Sequence, residues 1–217
     1  MSESTHTDTA SNWTVSYDVD PIRIRDPVAE ALAVLEPGEP FVVTYEDVVR
    51  AAGHSCPTAS GAYRITQRGL AALYPDAHPV RGDVEVLAGG PRDDPSYGVM
   101  SRLVSYVTGA AGPDGFAGLA DGYGGRRDHL HFGDLDADGP TFVFERSDTG
   151  EAVQVVYHVS EVPSAGAAVE YLPRMIDGSA TPEERAAFRD AWHDRVRTVL
   201  TDDDLFTVEA TDAALTD

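Results

Sequence analysis

The chain has 217 residues, 42% of them hydrophobic, and its 37 acidic side chains outnumber 16 basic ones for a formal charge of -21. A surface this negative repels nucleic acid and anionic membranes, since both require a cationic footprint, and a single cysteine excludes an intramolecular disulfide framework. Every basic residue is arginine; an acidic, lysine-free composition suits concentrated salt, where the Debye length falls to about 3 Å and self-repulsion is screened.

No apolar run approaches the roughly 20 residues that span a bilayer, and the first residues lack the basic and apolar regions of a signal peptide, so a cytoplasmic protein is expected. This length can bury one good core. We expect a polar, disordered N-terminus over 1–12, one domain over 13–200 with a helical extension from about 164, and an acidic tail over 201–217 that frays. There is no internal repeat.

In chain order, Asp26-Pro27 opens a helix carrying Val28, Ala31, Leu32 and Leu35 that Pro37-Gly38 closes. Thr44-Tyr45-Glu46-Asp47 is a capping box for a short helix that Gly53 ends. The next segment, Gly53-His54-Ser55-Cys56-Pro57, carries the most chemistry. Pro57 suits the first position of a second helix, over about 57–74, because its missing N–H costs nothing there. Cys56 then falls at the N-cap, beside free backbone N–H groups and the positive end of the helix dipole, a placement that favours thiolate. A thiolate and an imidazole two residues apart can grip one metal ion. Two plainer roles compete: a small buried hydrophobe for Cys56 and a C-terminal cap of the preceding helix for His54.

Asp83 to Leu87 alternates with period two, as a half-buried strand does, and Val99, Leu103, Val104 and Val107 fit a helix ending at Gly109. A glycine-rich loop follows. Asp128 to Phe132, Thr141 to Glu145 and Ala152 to His158 are three expected strands, with turns at 136–139 and 148–150 that would make them antiparallel neighbours. The order is α+β, without a βαβ rhythm: helices layered on a mixed, largely antiparallel sheet. Thr181-Pro182-Glu183-Glu184 caps a last helix over about 181–199, whose apolar stripe is Phe188, Ala191, Trp192, Val196 and Val199.

Gly53-His54-Ser55-Cys56-Pro57, continued by Gly61, Tyr63 and Arg64, resembles the signature of the formylmethanofuran dehydrogenase FmdE-like family. The stretch from Val99 to Thr108-Gly109 and the strand to Phe132 are similar to that family's next helix and strand, so the resemblance spans residues 25–160. It implies an α+β fold like that of the catalytic domain of glyceraldehyde-phosphate dehydrogenases, and a zinc or other transition-metal site on His54 and Cys56. The chain departs from the family at three places. Val99 and Ala110 stand where members carry further cysteines, and Thr58 replaces a glycine.

Two ligands are two short of a four-coordinate zinc centre. Asp94, with Asp93 beside it, precedes the expected helix, and His129 and His131 share one strand face by period two, so these are the candidates to supplement the pair. Arg126 and Arg127 after the glycine-rich loop are candidates for an anionic group, or simply salt-bridging arginines; Tyr63 and Arg64 are otherwise a core residue and a surface ion pair. Three functions follow: a metal-binding FmdE-like protein, an enzyme in which Cys56 is the nucleophile and His54 its base, or a regulatory domain that has lost the metal. A small-molecule ligand is compatible with each, and a homodimer would complete the ligand set and cover a sheet edge.

Overall fold

The computed structural model describes residues 13–212. In chain order the elements are β1 (Ile22–Ile24), α1 (Pro27–Ala31), β2 (Phe41–Val43), α2 (Tyr45–Ala52), α3 (Pro57–Leu73), β3 (Val84–Ala88), α4 (Pro95–Thr108), β4 (Leu130–Phe132), β5 (Thr141–Arg146), β6 (Ala152–Tyr157), α5 (Leu172–Asp177), α6 (Pro182–Thr201) and β7 (Phe206–Ala210). Strands β1 and β2 form a small antiparallel sheet, and the main sheet runs β4-β3-β5-β6-β7. The architecture is α+β, with helices on a mixed sheet.

The helix starts follow the sequence. Thr44 and Thr181 each cap with a reciprocal bond from the third helical residue, Asp47 and Glu184 respectively, and Gly53 ends α2 in the left-handed region at φ 76°. Helix α3 lies across the sheet, and two glycines on one of its faces allow the approach. A Cβ at Gly61 would stand 2.4 Å from the Tyr157 ring, and one at Gly69 2.4 Å from the Phe144 ring. Phe142, Phe144, Val155 and Tyr157 point to this side with Ile65, Leu70, Met100 and Val104, all fully buried, in one cluster that extends from Ile22 to Phe206.

Several expectations need correction. Helix α1 has five residues, because Ala33 turns left-handed at φ 55°, and Leu32 is 60% exposed. Strand β4 does not neighbour β5; it lies parallel to β3 across the α4 crossover, making one βαβ unit, while β3 takes the place between them. The β5–β6 hairpin is as expected. The tail is not frayed where it is described: β7 pairs antiparallel with β6, with Val208 opposite Val155, and Phe206 stacks on Tyr157 at 4.9 Å between centroids. The expected disordered segment 1–12 and residues 213–217 lie outside the described residues. On α6, Val196, Val199 and Leu200 are buried, Trp192 packs on the main core and Phe188 stacks on Trp192. The apolar stripe of this helix is therefore largely covered by its own chain.

Candidate functional site at the α2–α3 junction

Residues 54–56 join two capped helices, and Ser55 at their centre is held by three side chains, two of them remote in sequence. The hydroxyl of Tyr17 donates to Ser55 Oγ at 2.9 Å, Tyr45 OH lies 2.9 Å from the same oxygen, and Trp192 Nε1 donates to the Ser55 carbonyl at 2.9 Å. Tyr17 also meets His193 Nδ1 at 2.8 Å. Because the single Tyr17 proton is given to Ser55, the His193 nitrogen is the donor in that contact. The linked side chains are then His193, Tyr17, Ser55 and Tyr45, with either hydroxyl of the last pair able to donate. Burial raises the Tyr17 and Tyr45 phenols above their ordinary value, so both stay protonated. Burial, aided by Arg197 and Arg189, lowers the His193 imidazole.

Cys56 and His54 flank this pinned serine. Cys56 occupies the N-cap of α3, as its spacing predicts, and Sγ accepts the Ala59 N–H at 3.4 Å. The thiol is half-buried against the core. Ser60 Oγ donates to the Cys56 carbonyl at 3.0 Å, and Tyr157 OH donates to the Pro57 carbonyl at 3.3 Å. His54 is exposed, and its Nδ1 sits 3.1 Å from the Ala52 carbonyl at the end of α2. A carbonyl only accepts, so this nitrogen carries a proton, and in the neutral ring Nε2 keeps its lone pair. The capping role foreseen for His54 and a ligand role are thus compatible: the cap fixes the tautomer that can bind a metal or take a proton.

The remaining candidates go elsewhere. Asp94 caps α4, accepting from Ser96 N at 2.8 Å and Tyr97 N at 3.0 Å. His131 Nε2 lies 3.4 Å from Glu85 across β3 and β4, and His129 Nδ1 is buried with no partner among the described residues. Among these residues no three His, Cys, Asp or Glu side chains are grouped as a metal site. The donor types of His54 and Cys56 suit zinc; their number does not complete its shell. Tyr63 is a core residue that donates to the Asp20 carbonyl at 2.8 Å, and Arg64 pairs with Asp203. Arg126 binds the buried Asp26 at 2.6 Å, and the same carboxylate takes Arg81 at 3.4 Å.

Sequence reasoning missed Tyr17, Trp192 and His193. Their contacts join residues 38, 137 and 176 positions apart, and no local pattern announces such pairs. No family model and no curated protein matches the chain. No helix among the described residues is long and apolar enough to cross a membrane.

Proposed function

We propose that this is a metal-binding protein of the FmdE-like kind, in which His54 Nε2 and Cys56 Sγ supply two donors to zinc or a similar transition-metal ion. The observation that carries the reading is the triple hold on Ser55. Two of these bonds come from 38 and 137 residues away, and a two-donor site gains affinity when the residue between its donors is fixed beforehand. Water, a small-molecule ligand or a second copy of the chain in a homodimer completes the shell. No reaction step is assigned to the ion.

A second reading has its own support. Cys56 Sγ stands at the start of α3 beside the Ala59 N–H, where it could serve as a nucleophile with His54 Nε2 as base. The two are separated by experiment. Protein purified in high salt without chelator is expected to carry near-stoichiometric metal that Cys56→Ser and His54→Ala each remove, with sedimentation reporting whether a dimer accompanies it. Full metal retention in Cys56→Ser sinks the assignment. Metal-free wild-type protein that iodoacetamide alkylates rapidly at mildly acidic pH supports the nucleophile instead.

A further inference from the structure

The glycine-rich loop that the site above does not use forms one wall of a second cavity, of about 440 Å³, lined by Arg81, Gly82, Asp83, Gly124, Arg127 and His129 among others. Its charge runs against that of the molecule. Arg81 and Arg126 share the single carboxylate of Asp26, whose side chain is 5% exposed, so two guanidinium groups face one anion and a positive charge is left over. Two carbonyls at the end of α4, those of Tyr106 and Val107, accept from Arg81 and offset part of it. Arg127 adds a full second charge: it is exposed, and its guanidinium has no hydrogen bond, ion pair or ring contact among the described residues. Asp83 is the one carboxylate among the lining residues, a single negative charge against them.

The lining residues also include unpaired backbone amides. The backbone N–H groups of Gly82, Gly124 and Arg127 make no hydrogen bond among the described residues. Both glycines are left-handed, at φ 95° and 66°. His129, also on the lining, has a buried Nδ1 with no partner among the described residues. An unpaired guanidinium beside free amides is what an oxyanion satisfies.

We propose that this cavity binds a small oxyanion, the carboxylate or phosphate group of a metabolite, with Arg127 as its principal contact. The site is independent of the His54/Cys56 reading, and either can fail alone. The test is titration of the full chain with inorganic phosphate, followed by ³¹P line width, and with acetate, followed by saturation transfer, in concentrated sodium chloride. Saturable binding of at least one probe is expected, weakened about tenfold or more in Arg127→Gln and unchanged in Arg102→Gln, which removes an exposed arginine outside this cavity. The tighter probe identifies the group. Absence of saturation by both probes, equal binding by Arg127→Gln and wild type, or equal weakening by Arg102→Gln, as diffuse counterion binding would give, overturns the proposal.

Discussion

The buried carboxylate of Asp26 shows how one residue can serve two structural levels. It caps α1 through the N–H groups of Val28 and Ala29, and it holds Arg81 and Arg126 from segments 55 and 100 residues away. Burial by itself would raise its carboxyl, but Arg126, the Ala29 N–H and Arg81 outweigh burial and hold it below the ordinary 3.8. A depressed carboxylate stabilises the fold above its unfolded value and loses that contribution as pH falls through the folded value. Asp26→Asn keeps the cap oxygen but leaves two half-enclosed guanidinium groups uncompensated, and should destabilise by about 2–3 kcal/mol at neutral pH. Urea unfolding should show the gap between variant and wild type narrowing below pH 3.8. Asp190→Asn, which breaks an exposed pair, should stay within about 0.5 kcal/mol. Equal losses in the two variants would show that the buried cluster is no more important than a surface contact.

Among the elements, α3 decides the most. It carries Cys56 at its start and rests on the sheet through Gly61 and Gly69, where ring faces take the space a side chain would need. Glycine in a helix interior costs up to about 1 kcal/mol of propensity relative to alanine, so Gly69→Ala would stabilise a free helix. Here the added methyl meets the Phe144 ring at 2.4 Å, and that ring is fully buried and has nowhere to move. Overpacking of this kind costs about 1–3 kcal/mol. A net loss in thermal unfolding is therefore expected from Gly69→Ala, and a rise in Tm would mean that α3 stands farther from the sheet. The same dependence on packing explains β7. Phe206-Thr207-Val208-Glu209-Ala210 follows three aspartates and resembles part of a charged tail, yet β6 offers it a free edge and Tyr157 a ring to stack on. Neither partner is near in sequence.

For the whole molecule, charge is the dominant quantity. With 37 acidic residues against 16 basic ones, most carboxylates have no arginine to pair with, and their mutual repulsion is held down only by screening. Removal of salt should therefore loosen the fold, with loss of the helical circular dichroism signal and a lower Tm in dilute buffer than in concentrated sodium chloride. A spectrum and Tm independent of salt would remove the halophilic interpretation. Against this background the positive lining near Arg127 is the exception, and repulsion elsewhere would help direct an anion toward it.

Local chemistry was legible in the sequence. The capping boxes at Thr44 and Thr181, Cys56 at the N-cap before Pro57, and the β5–β6 hairpin all rest on interactions within a few residues, which residue types and spacing specify directly. Tertiary structure decided whatever depends on remote neighbours. It placed β3 between β4 and β5, drew Phe206 into the sheet, and separated Asp94, His129 and His131 into a helix cap and two strand-edge positions. It also joined Tyr17, Tyr45 and Trp192 around Ser55, the residue between His54 and Cys56. The physical reason is one of range. Backbone hydrogen bonding and capping act over a single helical turn, while burial of apolar surface and pairing of charges select partners by proximity in the folded chain, which no short sequence window contains.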